Sequence, residues 1–463
     1  MGLGPSVPRR SEPTTPEEIR TKLIDFLYAG QSQDFLTSLR SSFLERCSED
    51  GTLTRDAFVE LLAEGEGEDY AEMLHEGGPI LYRLAIYHGF YPFAPATDAR
   101  LTCDAFLLSL AMMTHPADNL GQIRIGRRYL RDTEDIIRLC FQAVAQPSFV
   151  AHPENDDKNA DRDFYSVFKN FTDNDDGVKI PYSPPLLPPD APPCSSRDRS
   201  GVIMMQDMRN LVKLMLSLSM STPPPTYPES LPVTAECICR SFGDADVDLP
   251  TFRSAVTEHL PNLFQPLRAF IARRFRILDG KPLAAAPPPP LAVSSKIISA
   301  PQTSQLRFML HAAIPETFEE LLHSGAPSYD AAEAASLLIH PKKDRLLLVS
   351  ARNANTTRTF AVFICSEEFC EYLQHGSIIH PEAGYYRSCS MELAPQHGLL
   401  FASRHEREEG ENVRTKIIHD HDGLVLQQGQ GIWRFSEGLE RVELVRPDKT
   451  EKFEVSWLEI WGA

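Results

Sequence analysis

The chain has 463 residues, 42% of them hydrophobic, and 64 acidic against 46 basic side chains give a formal net charge of −18. At domain sizes of about 100–200 residues, this length predicts two to three domains with real cores. The acidic balance, with no block of Lys and Arg, argues against direct nucleic-acid binding, which needs a positive surface to displace counterions.

In chain order, the first feature is Met1-Gly2-x-x-x-Ser6, which fits the N-myristoylation pattern and makes Gly2 a lipidation candidate. One acyl chain gives only marginal, reversible membrane binding, so a second signal or a protein partner is needed. MGLGPSVPRRSEP shows no hydrophobic region of the secretory kind, and no apolar run of about 18 residues occurs in the sequence. Residues 1–16 read as a flexible tail. Helix begins at TTPEEIRTKLIDFL, where Thr15 can cap, Pro16 suits the first helical position and Glu18 completes a capping box. Dense helical spacing then runs through a module at 17–146.

An acidic and proline-rich linker follows at 147–198, and a second helical segment spans 199–279. KPLAAAPPPPLAVSS lies in a second, proline-rich linker at 280–304. From 305 to 463 the texture changes to short β-rich runs, such as RLLLVSA, TFAVFI and FEVSWLEIW, punctuated by Gly, Asn and Asp. This last module is mixed α and β. The linkers give reach, so the two halves are expected to engage separate surfaces.

The helical part contains a repeat. LTRDAFVELL at Leu53 and LTCDAFLLSL at Leu101 are one phrase 48 residues apart, and VDLPTFRSAV at Val247 is a weaker copy. Each sets an aliphatic residue five before a phenylalanine, as where an EF-hand loop feeds its second helix. Calcium needs oxygen ligands at loop positions one, three and five and a glutamate at twelve. Here positions one and twelve are Arg46 and Ala57, then Ala94 and Ala105, then Arg240 and Thr251. These pairs are expected to be scaffold that binds no calcium. The acidic run Asp173–Asp176 reads as solvated linker.

Nine scattered cysteines without a CxxC read as reduced thiols of a cytosolic protein. The pairs Cys237/Cys239 and Cys365/Cys370 lack the second half of a zinc site. His419-Asp420-His421-Asp422 is the densest histidine cluster, but KIIHDHDGLVLQQ reads as a hairpin turning at Asp422-Gly423. QQGQG reads as a bulged or bent strand start. No nucleophile elbow, P-loop, HExxH or dinucleotide fingerprint occurs. The residues therefore predict no catalytic residue, no cofactor and no metal, in a binding or adaptor protein.

The last eleven residues, FEVSWLEIWGA, hold two of the chain's three tryptophans. Phe453, Val455 and Trp457 alternate with Glu454 and Ser456, as in a strand with one apolar face. Leu458, Ile460 and Trp461 break the alternation, which predicts burial on both faces and pairing inside a sheet. The tryptophans read as core; Glu454 and Glu459 remain open as functional candidates.

This ending resembles the terminal signature of the TLDc-domain family, matched by Phe453, Glu454, Val455, Leu458, Glu459, Trp461 and Gly462, with Trp457 between them. IPETFEELLHS (Ile314–Ser324) resembles the family's first helix leading to Leu321–Ser324, ASLLIHPKKDRLLLVS and RTFAVFICSEEF its next strands, and GLVLQQGQGIWRFSEGLERVEL its glycine-rich segment. TFRSAVTEHLPNLFQPLRAFIARRF resembles the stretch before that domain in a fungal branch, the restriction of telomere capping protein 5 family. The chain departs from the family in its broken glycine run and in RPDKTEK before the last strand.

The resemblance implies an α+β fold: an N-terminal all-α EF-hand-like region, then a TLDc-like antiparallel β-sandwich with flanking helices. It implies a non-catalytic regulator that binds subunits of the vacuolar proton-pumping ATPase, acts in resistance to oxidative stress and has an indirect influence on telomere capping. The expected location is cytoplasmic, and peripheral on the vacuole membrane through a myristoylated Gly2. The alternative is an oxidative-stress protein with direct antioxidant or enzymatic activity.

Overall fold

The computed structural model describes residues 16–28, 31–91, 99–114, 133–147, 201–220, 230–260, 262–276, 295–309, 319–324, 330–339, 344–354, 356–364, 386–395, 397–404, 416–420, 423–428 and 431–462. Gly2, Thr15, the acidic run at 173–176 and nearly all of the 147–198 linker lie outside them. The first described helix, Pro16–Leu27, starts on Pro16 as expected. Later helices start on side-chain caps: Thr54 accepts from Ala57 N, and Asp248 from Thr251 N.

Helices Gln33–Leu44, Arg55–Ala63, Glu68–Gly89, Cys103–Thr114 and Thr133–Val144 precede residues 148–200; Met205–Ser219, Ser230–Cys239, Leu249–His259 and Gln265–Arg274 follow them. Both groups bury their apolar faces in one cluster running from Ile24 to Phe275. Phe106 and Phe275, one from each group, meet edge-on at 5.6 Å.

The repeated phrases meet in space. Strand β1 (Thr52–Leu53) pairs antiparallel with β2 (Leu101–Thr102), setting Leu53 opposite Leu101. Farther on, β3 (Gln146–Pro147) pairs with β4 (Gly201–Val202). The copy at Val247 has a partner outside the repeated phrases: Ile203 and Val247 exchange both backbone hydrogen bonds at 2.9 Å. Met208 stands five after Ile203, where the other copies carry Phe58, Phe106 and Phe252, and all four side chains are buried. A methionine fills the same core position without the aromatic cue.

The second half is an antiparallel sheet, ten strands among the described residues. They are β5 (Glu319–Ser324), β6 (Arg345–Asn353), β7 (Thr356–Ile364), β8 (Tyr386–Ala394), β9 (Gly398–Arg404), β10 (Lys416–Asp420), β11 (Gly423–Gln428), β12 (Gly431–Ser436), β13 (Arg441–Val445) and β14 (Thr450–Gly462). The hydrogen-bonded path is β10-β11-β12-β13-β14-β6-β7-β8-β9, with β5 added to β14. The chain is thus α+β. In place of two separately bonded sheets, one continuous sheet folds over on itself. The facing arms are joined where Trp433 of β12 donates to Ser390 Oγ of β8 at 3.0 Å and meets Phe360 of β7 edge-on at 5.2 Å.

The fold-over depends on the length of β14. One edge pairs with β6; the other pairs with β13 over Thr450–Glu454 and with β5 over Leu458–Gly462. A register shift between Val455 and Trp457 changes the side-chain phase, after which Leu458 to Gly462 are all buried. This is the burial on both faces that the broken alternation predicts. Leu321–Ser324, the phrase to which the expected helix leads, is strand together with Glu319 and Glu320, which gives that half of β14 a main-chain partner; residues 314–318 lie outside the described residues.

Two turns are likewise re-registered. Asp420 pairs with Gly423, so Gly423 belongs to the strand ladder rather than to the turn expected at Asp422-Gly423. Gly423 itself opens β11 at φ 130°, where a Cβ would collide with Phe435 O. Gln428 pairs with Gly431, so the glycine-containing stretch spans the end of β11 and the start of β12 rather than forming a bulged strand start.

The helix Ala300–Met309 joins the halves, and its first residues were expected in the linker. Ser299 N and Oγ both donate to Gln302 Oε1, at 2.9 and 3.2 Å, and Pro301 sits in the first turn, so the helix has a start signal inside the proline-rich stretch. Leu306 packs on the outer face of β6–β8 with Leu346, Leu348 and Trp461, while Phe308 enters the helical core.

Because β14 serves three strands, removing residues 453–463 is expected to abolish the sheet's cooperative melting and its strand circular dichroism. A truncated chain with an unchanged transition would refute the central place given to this strand.

Candidate functional site

Buried polar side chains gather where the sheet meets the helices, among them Gln305, His397 and Glu459. Between β8 and β9 the chain turns into the helical body: His397 N donates to Cys237 O at 3.1 Å. Arg240 Nη1 donates to Pro395 O at 2.9 Å, and Ser241 Oγ to His397 O at 3.0 Å. The imidazole is 2% exposed and bonded on both nitrogens. Nε2 lies 3.0 Å from His259 O, and since a carbonyl only accepts, Nε2 carries the proton. Nδ1 therefore accepts from Gln305 Nε2 at 2.8 Å, and the same amide nitrogen also donates to Leu393 O at 3.1 Å.

This arrangement holds His397 neutral. Burial pushes its pKa down to about 4; the bond to the His259 carbonyl opposes that, and the His259 ring adds to it. A second ring proton would also have to face the Gln305 N–H. His259, on the adjoining helix, is likewise lowered by burial, with Glu258 opposing. An open depression of about 370 Å³, lined by Ser241, Pro250, Thr251, Ser254, Ala255 and His259, runs beside this seam.

Glu459 makes the second attachment. Its carboxylate is 1% exposed and accepts from Ser295 Oγ at 2.6 Å, Lys296 N at 2.8 Å and Trp461 Nε1 at 3.1 Å. Ser295 Oγ in turn accepts from Ile297 N and Ile298 N at 2.9 and 3.0 Å. A buried carboxylate requires such donors. Here they belong to the segment leading into Ala300–Met309, so Glu459 fixes where that helix begins.

The other residues of the C-terminal stretch divide by role. Phe453 and Trp461 are core, as expected. Trp457 is half-buried, with Lys296 Nζ 5.4 Å from its ring centroid. Gly462 is required by close approach, since a Cβ there would meet Leu321 Cδ1 at 2.7 Å and Arg345 Nη1 at 2.8 Å. Glu454 is exposed and sits between Arg441 and Arg352 in the ladder. The structure therefore separates the two open carboxylates: Glu459 is a structural clamp, and Glu454 belongs to the surface. Of His419–Asp422, only the backbone of His419 and Asp420 is described. Among the described residues no group of His, Cys, Asp or Glu is placed to hold a metal.

At the first repeat loop, Asp50 Oδ1 accepts from Ser48 Oγ, Thr52 N and Thr52 Oγ1, and Oδ2 meets Arg100 Nη1 at 2.7 Å. The Ser48 and Thr52 hydrogen bonds hold the Asp50 carboxyl down at about 2, with Arg100 assisting. A guanidinium from the second loop thus faces the carboxylate where a cation would lie.

Independent movement of the two halves, expected from the proline linker, conflicts with these contacts. His397, Gln305 and Glu459 bind the described helices and sheet together. Sequence reasoning missed His397 and Gln305 because a histidine beside a hairpin turn reads as solvated until a second element buries it. No protein-family model matches the chain, and no curated protein sequence matches it.

Two outcomes follow from this geometry. Glu459→Ala is expected to cost about 3 kcal/mol by leaving buried donors unpaired, against less than about 0.5 kcal/mol for Glu454→Ala, both read from urea unfolding. The unfolded chain protonates His397 near pH 6.5 and the folded chain only near pH 4. Its stabilisation is therefore complete above about pH 6.5 and falls with pH towards pH 4, by about 3 kcal/mol in all. Unfolding free energies measured across that window should decline less steeply in His397→Gln than in the parent.

Proposed function

We propose that the chain is a non-catalytic regulatory binding protein of the TLDc type, with EF-hand-like helix pairs as scaffold, acting on the vacuolar proton-pumping ATPase. The observation that carries this reading is that the residues bearing the resemblance also bear the architecture. Glu459, Trp461 and Gly462 sit where the last strand, the first strand of the sheet and the joining helix meet. The paired loops, Leu53 with Leu101 and Ile203 with Val247, agree with EF-hand-like pairs. The Arg100–Asp50 contact agrees with scaffold rather than calcium exchange. No described helix is long and apolar enough to cross a membrane. In this reading membrane contact is peripheral, through Gly2. The effects on stress resistance and telomere capping are indirect consequences of partner binding.

Direct antioxidant chemistry draws less support. A peroxide-reducing thiol needs a lowered pKa. Among the described cysteines, burial instead pushes Cys140, Cys239 and Cys389 up to about 12, and it raises Cys103 and Cys237 as well.

The test is affinity purification of the tagged full chain from cells, beside Gly2→Ala, with acidification of isolated vacuoles as the second readout. Co-purification of the ATPase peripheral sector and slower acidification on adding the protein are expected. Gly2→Ala should lose membrane association while keeping the soluble partner. A chain that recovers no ATPase subunit and leaves acidification unchanged would overturn the reading.

A further inference from the structure

Three strands of the sheet pair with a single neighbour among the described residues: β5 with β14, β9 with β8, and β10 with β11. A strand paired on one side offers main-chain N–H and C=O groups to another chain, and irregular pairing is one way of blunting that edge. The β5 ladder shifts register between Ile460 and Trp461, and the β9 ladder at Tyr386/Ser388 and Ser390/Met391. The β10 ladder has no shift, from Lys416 opposite Gln427 to Asp420 opposite Gly423. Nor does the strand, Lys-Ile-Ile-His-Asp, contain a proline.

Its middle is apolar on both faces. Ile417 packs on the core that holds Leu424 and Leu426, whereas Ile418, opposite the half-buried Val425, is 47% exposed. The Lys and Asp residues stand at the two ends, and the β11 residues opposite them, Gln427 and Gly423, are neutral.

This order of residues is self-complementary when the strand is paired antiparallel with itself about Ile418. Lys416 then stands opposite Asp420 of the second copy, twice by symmetry, Ile417 stands opposite His419, and Ile418 meets itself. The outer face gains one apolar row across the seam, Val425–Ile418–Ile418–Val425, and each end carries one cation and one anion. Cross-strand pairs of both kinds stabilise antiparallel pairing. We propose that β10 is a homodimer interface, at which two copies join their sheets edge to edge about a two-fold axis at Ile418. Five residues a side fall well short of the about 20–30 of a stable interface, so the dimer is weak and reversible. The net charge of −18 opposes association, but beyond about 10 Å that repulsion is largely screened near 0.1 M salt. The inference is independent of which complex the chain regulates.

Sedimentation velocity of the full chain at about 0.15 M salt, from low micromolar to submillimolar concentration, is expected to show a monomer–dimer equilibrium. Lys416→Asp and Asp420→Lys each set like charges opposite one another and should weaken the dimer about tenfold. The two together restore opposite pairs and should recover the parent's dissociation constant. Ile418→Lys should hold the chain monomeric throughout, and melting transitions like the parent's show that the variants act at the seam. A parent that stays monomeric at every concentration, or a dimer that survives Ile418→Lys, would overturn the proposal. A double reversal that dimerises no better than the single ones would overturn the antiparallel register about Ile418.

Discussion

The constraint on which the structure depends is that its last strand is an inner one. β14 has both edges committed, to β6 along most of its length and to β13 and then β5 on the other side. An inner strand cannot be added late at little cost, since its neighbours have no complete ladder without it. The arm β10–β13 and the arm β6–β9 are joined through this strand alone in the hydrogen-bonded path. The contacts that close the core, Phe360 against Phe453 and Trp433, are therefore of long sequence separation. Such topologies fold slowly, and here the sheet completes only once the final residues are available.

The two halves are joined by buried polar groups as well as by apolar contact. Leu306 and Ile298 supply area on the sheet side, yet area is not directional. Direction comes from His397, whose two ring nitrogens and backbone each meet a different helical element or its flank, and from Glu459, whose carboxylate takes three donors. Each would be costly in any other relative placement of the halves, because the same groups would be buried without partners. Polar burial thereby selects one docking arrangement among those that apolar packing alone would tolerate.

What was legible in the sequence follows from which interactions are local. Helix starts, strand alternation and the phase break at Leu458 are set by neighbouring residues, and they could be read directly. The repeat at Leu53 and Leu101 was legible because both copies keep phenylalanine, whereas Ile203 was hidden by Met208. The helix at Ala300–Met309 had its signal in Ser299 and Gln302, but the surrounding prolines masked it. His397 had no local signal at all. Its burial is decided by Gln305 and by the carbonyls of Cys237 and His259, and no window of sequence contains them. Glu459 was legible as a residue of interest, while its role depended on Ser295 and Lys296, 164 and 163 positions away.

The joined halves bear on the proposed binding role. Two modules on a flexible tether gain affinity through effective concentration, and each contributes its own contact. Halves locked by His397, Gln305 and Glu459 instead present one composite surface whose relative geometry is fixed before binding. The benefit is then reduced ordering entropy on association rather than avidity. The depression beside the seam belongs to that surface: Ser241 and His259, which line it, also hold the His397 turn. A ligand that moved either residue would disturb the junction, and a disturbance of the junction would reshape the depression. The residues that shape this depression are thus the ones that hold the two halves in their relative placement.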